Sequence, residues 1–317
     1  MTSPSGNDWL RPLGSTGLTV SAVCAGGALL AGMPEIFGYD VSRADAVALI
    51  DRVFDGPLTW IDTSNGYGDG ESESRIGQAI AERGGLPDGF LVATKVDAQG
   101  DDYSGARVRA SVAESKERLG LDRLPLVYLH DPEFHDFNRM RDAVDTLMRL
   151  RDEGAIGHVG LAGGNVRELS RYLELGGFEV LLVHNRWSLV DHSAEELIQK
   201  ALSADLAVIN AAIYGGGILA NPQGGSRKYG YRDAPAATLE AVALMDKACR
   251  EYGIDLATAA LQHSVNDPRI TGTVIGISKP ARVERLITSL ESEIPRELQD
   301  RLTELMPDKQ YWLEGTP

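Results

Sequence analysis

Four polar side chains of different chemistry follow three apolar segments of the chain: Asp62 and Tyr67, then Lys95, then His130. Lys95 comes 33 positions after Asp62, and His130 comes 35 positions after Lys95. A carboxylate, a phenol, an ammonium and an imidazole that meet in one place can hold, donate and accept protons. The residue types and their spacing therefore indicate a proton-transfer site, provided that the fold brings them together.

The segments before these residues have the character of buried strands. Residues 58–61, 90–94 and 126–129 are short, apolar and rich in β-branched or aromatic side chains, which is typical of parallel strands covered on both faces. Their spacing is about one strand–helix–strand unit. Since the strands of a parallel barrel all end on the same side, we expect the four polar side chains at one mouth.

The chemistry of this group centres on Tyr67. A free phenol titrates near ~10, too high for ready proton exchange at neutral pH. We expect the ammonium of Lys95 to stabilise the phenolate and lower the pKa of Tyr67, while Asp62 holds Lys95 in place. His130 can then donate a hydrogen bond that orients a substrate oxygen. Any one of these residues alone could have a structural role, but four of them at matching strand ends favour a catalytic site.

Strand-like and helix-like segments alternate along the whole chain. We count eight pairs over 317 residues, and about 40 residues a pair is the length that a (β/α)8 barrel needs. The prediction is therefore an α/β fold, a single (β/α)8 TIM barrel domain over residues 1–317. Two long glycine-rich loops, 25–42 and 211–235, each follow a strand and are expected at the mouth. A C-terminal extension after Pro295 carries two aromatic residues that could fold back over it.

The composition argues against several classes of partner. The net charge of −15 argues against nucleic acid and against an anionic membrane surface. The two cysteines, Cys24 and Cys249, have no metal-ligand spacing, and no metal site is predicted. No segment has the length of a membrane span or the pattern of a signal peptide, so a reducing cytoplasm is the expected location. The oligomeric state stays open.

The order of these motifs resembles the aldo-keto reductase superfamily nearly end to end. Residues 13–21 are similar to that superfamily's opening, and the segments around Asp62, Tyr67, Lys95 and His130 follow in its order as Asp-Thr, Gly-Tyr-Gly, Thr-Lys and His-Asp-Pro-Glu. The resemblance implies a nicotinamide cofactor, interconversion of a carbonyl and an alcohol, and a catalytic tetrad on those four residues. The bacterial aldose 1-dehydrogenase and fucose dehydrogenase branch is the most similar, so the implied substrate is a small carbonyl compound or sugar.

The cofactor is expected on the loops that follow the last two barrel strands. No Gly-x-Gly-x-x-Gly motif follows the first strand, so a Rossmann-type site is not indicated. Barrels commonly bind phosphates at the loops after strands seven and eight. The candidate contacts on those loops are Tyr214, Gly215, Gly216, Gly217, Ile218, Gly276, Ser278, Lys279 and Arg282. In the family the last segment binds an adenosine 2′-phosphate, so NADP(H) is favoured over NAD(H).

Around the nicotinamide the chain departs from the family pattern. Asn165 is kept after the fifth strand, but Ala162 stands where serine is common and Ala211 where an aromatic residue usually stacks. His184 stands where glutamine is common at the end of strand six, and we expect it to contact cofactor or substrate. The aromatic residues expected in the wall of the substrate pocket are Phe37, Trp187 and Trp312.

Two other functions fit parts of the pattern. A Schiff-base aldolase on the same barrel would use Lys95 as its nucleophile, with Asp62 and Tyr67 moving protons. A catalytically silent sensor would keep the cofactor site without turnover. The intact set of four residues favours the NAD(P)-dependent oxidoreductase.

Overall fold

The computed structural model describes residues 9–224 and 226–314, without the side chains of residues 36 and 37. Its strands are β1 (Leu10–Pro12), β2 (Thr19–Ser21), β3 (Val23–Gly26), β4 (Trp60–Asp62), β5 (Leu91–Val96), β6 (Leu124–His130), β7 (Ile156–Gly163), β8 (Val180–His184), β9 (Ala207–Ala211), β10 (Lys228–Tyr229), β11 (Arg232–Asp233) and β12 (Gly272–Gly276).

Eight of these strands close into a barrel in the order β12-β3-β4-β5-β6-β7-β8-β9. All neighbouring strands in the barrel are parallel, and β12 closes it by pairing with both β3 and β9. Parallel strands need a crossover between them, and helices on the outside of the barrel supply it. The predicted (β/α)8 TIM barrel is thereby confirmed.

The helices are α1 (Pro34–Phe37), α2 (Arg43–Phe54), α3 (Glu71–Arg83), α4 (Gly105–Leu119), α5 (Met140–Asp152), α6 (Val166–Leu173), α7 (Glu195–Ser203), α8 (Ala236–Glu251), α9 (Leu256–Val265), α10 (Pro280–Leu290) and α11 (Arg296–Glu304). Serine caps explain two of the starts, because the Ser42 and Ser104 side chains accept hydrogen bonds from the backbone N–H groups of Asp45 and Arg107. No helix in the described ranges is both long and apolar enough to cross a membrane.

Helix α9 is an element that the sequence pattern does not predict. Eight of its ten residues are buried, so it lacks the alternation of apolar and polar faces that reveals a surface helix. The local signal is its cap: Asp255 accepts a hydrogen bond from Thr258 N at 2.8 Å. Strand β9 is therefore followed by two helices, α8 and α9, before β12 begins.

The core has an inner and an outer part. Trp60 and Tyr128, both fully buried, fill the inside of the barrel, and Trp60 Nε1 donates to Ser21 O at 2.9 Å. Aliphatic side chains from the outer faces of the strands pack against the surrounding helices. The interior is thus solid, and it leaves the rims of the barrel as the places for a site.

The N-terminal segment covers the end of the barrel where the strands begin. Strands β1 and β2 pair as an antiparallel hairpin, and Leu13 between them is fully buried among the inner residues. A Cβ at Gly14 would lie 2.8 Å from Ala207 N, at the start of β9. The backbone of Gly14 therefore packs closely against the start of β9, at the bottom of the barrel.

The opposite rim carries the long connections. The segment after β3 contains the short helix α1, and the segment after β9 contains the β10–β11 hairpin. The C-terminal tail joins this side, because Leu313 N donates to Asp191 Oδ2 at 2.7 Å and Arg232 Nη2 donates to Leu313 O at 3.0 Å. Both long loops therefore lie at the mouth, as predicted.

Candidate active site

Strand ends bring the four predicted residues together. Asp62 is the last residue of β4, His130 is the last residue of β6, and Lys95 is next to last in β5. β4 pairs with β5 and β5 with β6, so the three positions are neighbours on the rim. Tyr67 lies in the loop after β4 and turns toward them, with its ring centroid 5.8 Å from that of His130.

Lys95 is the centre of this arrangement. Its Nζ donates to Asp62 Oδ1 at 2.6 Å, to Thr63 O at 2.6 Å and to Tyr67 OH at 3.1 Å. An ammonium has three N–H donors, and all three have partners here. Burial alone would lower the pKa of Lys95, but Asp62 and Tyr67 together outweigh it through their charges and hydrogen bonds, so the pKa is raised and the ammonium persists at neutral pH.

Tyr67 differs from the sequence prediction in one respect. Lys95 does act to lower the pKa of Tyr67, as expected, but burial of the phenol raises it more strongly, so the net pKa lies well above its usual value. The prediction of a lowered pKa is therefore wrong. The phenol is held protonated beside an ammonium, which prepares it to donate its proton.

His130 is held by a carboxylate behind it. Its Nδ1 lies 2.6 Å from Asp97 Oδ1, and Asp97 Oδ2 accepts from Ser64 Oγ and, at 2.7 Å, from Gly66 N. Burial would lower the pKa of His130, but Asp97 and Asp131 outweigh it and raise the pKa. A histidine in this setting favours N–H groups on both ring nitrogens, so Nε2 can donate toward the mouth.

Sequence reasoning did not identify Asp97, although a signal for it exists. Asp97 comes two positions after Lys95, and residues two apart on a strand point to the same face. Asp131 was also missed, although it directly follows His130. Both carboxylates act on the histidine, so the charge pattern of the site extends beyond the four predicted residues.

A cavity of about 290 Å³ opens above these residues. Its lining contains Asp62, Tyr67, Lys95 and His130, together with His184, Ala162 and Ala211, as well as Leu29, Asp131 and Tyr231. The predicted position of His184 at the mouth therefore agrees with the structure. The small side chains of Ala162 and Ala211 leave open the space where the family pattern has larger groups.

Part of the predicted cofactor segment lines the same cavity. Tyr214, Gly215, Gly216 and Gly276 form one side of it. A second cavity of about 140 Å³ shares Tyr214 and Gly276 with the first and adds Arg282. The two cavities thus adjoin, and together they make an elongated site that runs from the polar residues to the start of α10.

Other predicted cofactor residues have different surroundings. Ser278 and Lys279 directly precede α10, and within the described chain Ser278 Oγ is buried without a hydrogen-bond partner. Gly217 follows the two glycines that line the cavity, whereas Ile218 is buried in an apolar cluster. Asn165 caps α6, where its Oδ1 accepts from Glu168 N at 3.0 Å, and its side chain lies outside the cavity lining.

The predicted aromatic wall is not what the structure contains. Trp187 is buried against His192, with ring centroids 4.1 Å apart, and lies outside the mouth cavity. Trp312 donates from Nε1 to Pro307 O at 2.9 Å and also lies outside it. The prediction for the side chain of Phe37 falls outside the described residues. The tyrosines that line the cavity are Tyr67, Tyr214 and Tyr231. Tyr231, which is 73% exposed, is the one that the sequence pattern missed.

One group of side chains among residues 9–224 and 226–314 has the spacing of a metal site. Asp131, Glu133 and His184 offer ligand atoms that lie within 4.8 Å of one another. Glu133 Oε1 already accepts from the backbone N–H groups of Gly164 and Asn165, at 2.5 and 2.9 Å. Exposed acidic groups commonly have such spacings without an ion, and the absence of a metal stays a prediction.

Comparison with known proteins identifies the family. Residues 23–306 match the Aldo/keto reductase family. The chain is 29% identical to pyridoxal 4-dehydrogenase of Microbacterium luteolum, covering 90% of this chain and 94% of that protein. It is 27% identical to D-threo-aldose 1-dehydrogenase of a Pseudomonas species, covering 92% and 95%. The holo form of an aldo-keto reductase from Bacillus halodurans has the same fold, with a TM-score of 0.78, 20% identity and coverage of 97% and 99%.

The chain therefore belongs to the Aldo/keto reductase family and is an oxidoreductase. Its named relatives support the aldose dehydrogenase-like branch that the motifs predict. The family uses a nicotinamide cofactor, and small carbonyl compounds and sugars fit it as substrates.

Proposed function

We propose that this protein interconverts a carbonyl group, in an aldehyde, a ketone or an aldose and its lactone, with the corresponding alcohol, using NAD(P)(H). The observation that carries the proposal is the contact of Lys95 Nζ with both Asp62 and Tyr67 OH, in one cavity with His130. The names of the relatives, one acting on pyridoxal and one on D-threo-aldoses, support an aldehyde or sugar substrate.

Tyr67 is the proposed general acid and base. In reduction, Tyr67 would donate its hydroxyl proton to the carbonyl oxygen, and the nicotinamide cofactor would supply the hydride that the carbonyl carbon gains. In oxidation, the Tyr67 phenolate would take the proton of the alcohol and the cofactor would take the hydride. Lys95, 3.1 Å from the phenol oxygen, stabilises the phenolate that remains. The raised pKa of Tyr67 keeps the proton available for reduction and disfavours a spontaneous phenolate.

His130 is proposed to orient the reacting oxygen. Its Nδ1 is committed to Asp97, so its Nε2 is the nitrogen available to a substrate oxygen. A fixed donor beside the proton donor restricts the carbonyl to one orientation, and groups positioned in advance at developing charge stabilise the transition state.

The residues present fit a nicotinamide dinucleotide, which supplies or accepts the hydride. Gly215 and Gly216 line the cavity with backbone and have positive φ angles of 57° and 69°; a Cβ would lie 2.7 Å from the Tyr229 ring at Gly215 and 2.9 Å from Lys228 O at Gly216. Ser278 Oγ, buried and unpartnered in the described chain, and Lys279 precede the N-terminus of α10, where an anion is favoured. Arg282 lies one turn further along, at the second cavity.

We propose NADP(H) as the preferred cofactor, because Lys279 and Arg282 add two cations at that end of the site. Arg282→Ala should weaken NADPH binding about tenfold and NADH binding much less, since only NADPH carries the 2′-phosphate. Arg285→Ala is the matched control, because Arg285 lines the same cavity but pairs with Asp255 at 3.1 Å. Equal losses for both cofactors would move the phosphate site elsewhere.

The aldolase alternative has little support from the geometry. Schiff-base formation needs a neutral amine, whereas Lys95 donates to three acceptors and its raised pKa favours the ammonium. A borohydride-trapped adduct on Lys95 would reinstate it. A catalytically silent sensor would bind the cofactor without turning over any substrate, so a turnover assay distinguishes it from the oxidoreductase.

The test combines binding with turnover. Quenching of the four tryptophans on titration with NADPH and with NADH reports binding, and a panel of aldehydes and sugars, followed at the nicotinamide absorbance, reports turnover. Tyr67→Phe should keep cofactor affinity and lose about 10²- to 10⁴-fold in kcat. Failure to bind either cofactor, or a Tyr67→Phe protein with full activity, would refute the proposal.

A further inference from the structure

Asp131 is a cavity residue to which the proposed reaction assigns no step. It directly follows His130, and its backbone N–H donates to Ala162 O at 2.8 Å, extending the contact between β6 and β7. Its φ is +42°, in the left-handed region that aspartate and asparagine tolerate better than most residues. This backbone conformation directs the carboxylate into the mouth cavity, whose lining includes Asp131.

Two histidines flank the carboxylate without satisfying it. Asp131 Oδ2 lies 3.7 Å from His130 Nε2, and Oδ1 lies 3.5 Å from His184 Nε2. His184 Nδ1 accepts from Asn185 Nδ2 at 3.1 Å, so His184 presents Nε2 to Asp131. Oδ1 is itself buried and, among the residues described, has no hydrogen bond. Buried carboxylate oxygens without partners are rare in folded proteins, so a group on a ligand is the natural donor.

The cations assigned to the reaction are hydrogen-bonded to carboxylates other than Asp131. Lys95 is paired with Asp62, and His130 is paired with Asp97 through its other nitrogen. Burial alone would raise the pKa of Asp131, but His130 and His184 outweigh it and lower the pKa to about 2. At neutral pH the side chain is therefore a carboxylate, which accepts hydrogen bonds and donates none.

We propose that Asp131 is a specificity-determining residue, which accepts a hydrogen bond from a hydroxyl group on the carbon next to the reacting carbon. The inference rests on the proposed function, because it takes the reacting oxygen to lie at Tyr67 and His130. Asp131 adjoins His130 in the chain and in space, so oxygens on neighbouring carbons of one substrate can meet both residues. The substrate class is then the 2-hydroxy aldehydes and the aldoses, in preference to carbonyl compounds without that hydroxyl.

The test uses two substrates that differ in one hydroxyl group, lactaldehyde (2-hydroxypropanal) and propanal, each reduced with a saturating nicotinamide cofactor. The wild-type protein should have the higher kcat/KM with lactaldehyde. Asp131→Asn keeps the shape and the left-handed backbone but removes the charge, and it should lower the ratio of the two kcat/KM values roughly tenfold or more. The kcat/KM for propanal should fall less than that for lactaldehyde: losing the charge beside His130 affects both substrates, but only lactaldehyde has a hydroxyl that loses its partner.

Asp69→Asn is the matched control, because Asp69 also has a positive φ, +52°, lies on a mouth loop and is outside the cavity lining. It should leave both substrates unchanged. Asp131→Gly, which accommodates the same backbone, should lower the ratio at least as far as Asp131→Asn.

The outcomes separate three cases. An unchanged ratio in both Asp131 variants, or equal losses on both aldehydes, would overturn the role of Asp131 and leave the proposed function standing. A wild-type preference that disappears on adding a chelator would replace the hydroxyl contact with a metal bound by Asp131, Glu133 and His184. A wild-type protein that binds cofactor but reduces neither these aldehydes nor any compound of the panel would instead refute the proposed function itself.

Discussion

Two groups of histidines in this protein have opposite surroundings. At the mouth, His130 lies between the carboxylates of Asp97 and Asp131, and its pKa is raised. Outside the barrel, His192 and His263 stack on each other with ring centroids 5.1 Å apart, and His192 stacks on Trp187. We call these three residues the outer histidine stack.

Burial and a neighbouring cation keep the outer histidine stack neutral. Burial lowers the pKa of His192 to about 3 and that of His263 to about 4, and Arg269, 4.7 Å from the Trp187 ring centroid, contributes to both shifts. The cavity beside this stack, about 410 Å³, is larger than the one at the mouth. Cavity size therefore does not distinguish the proposed active site from the region beside the stack. The carboxylates at the mouth do, because they keep His130 charged and able to donate a hydrogen bond.

The largest expected effect comes from removing the cation of the mouth. Lys95→Met should lower kcat at least about 100-fold while NADPH still binds, because Tyr67 loses the charge that stabilises its phenolate. It should also destabilise the protein by about 3–5 kcal/mol, since Asp62 stays buried without its partner. Urea unfolding and steady-state kinetics measure the two effects.

A second substitution separates stability from turnover. Lys95→Met with Asp62→Asn should recover much of the stability and none of the turnover. Lys200→Met, which removes a partly exposed lysine paired with Glu174, is the surface control and should change neither. Normal turnover in Lys95→Met would show that Tyr67 is not assisted in this way.

An effect of intermediate size concerns how the free energy of unfolding depends on pH. The two groups of histidines change it in opposite directions. His192 and His263 have folded pKa values below the unfolded value of about 6.5, so they lower stability as pH falls below that value, by up to about 1.4 kcal/mol per pH unit for each proton taken up on unfolding. The raised pKa of His130 acts in the other direction: its contribution is present below about 6.5 and is lost as pH rises through the folded pKa.

Urea unfolding between pH 4 and 9 measures this difference. His263→Gln should flatten the acidic side of the stability curve, and His130→Asn should flatten the side above pH 6.5. Parallel curves for both variants and the wild type would refute the contrast between the two regions.

The smallest expected effect concerns two aromatic residues. Trp187→Phe should leave kcat/KM within about twofold, because Trp187 belongs to the outer histidine stack and its Nε1 has no partner within the described residues. Tyr231→Ala should raise KM several-fold, since Tyr231 lines the mouth cavity and one aromatic contact is worth about 1 kcal/mol. A larger loss in Trp187→Phe than in Tyr231→Ala would restore the predicted substrate wall.

These differences indicate what the sequence could predict. Asp62, Lys95 and His130 could be assigned to one rim because parallel strands place their ends together. Trp187 could not be assigned correctly, because the chain turns after β8: Asn185 has a φ of +63°, and Trp187 O accepts from Asn210 Nδ2 at 2.8 Å. Position along the chain alone does not reveal that turn.

The pKa of Tyr67 shows a second limit of sequence reasoning. The sign of the Lys95 contribution follows from the residue types, but the opposing cost of burial depends on how closely the loops pack. The position of Tyr231 at the cavity was missed for a related reason: the short β10–β11 hairpin that carries it has no strong sequence pattern. Contacts between distant loops account for most of what the sequence leaves open.

The hairpin covers the bottom of the barrel, and packed side chains fill the interior above it. Because Leu13 fills that end, a ligand reaches the polar residues from the mouth of the barrel and leaves by the same side. Entry into the mouth and exit from it can then limit the rate of turnover, however fast the chemical step is.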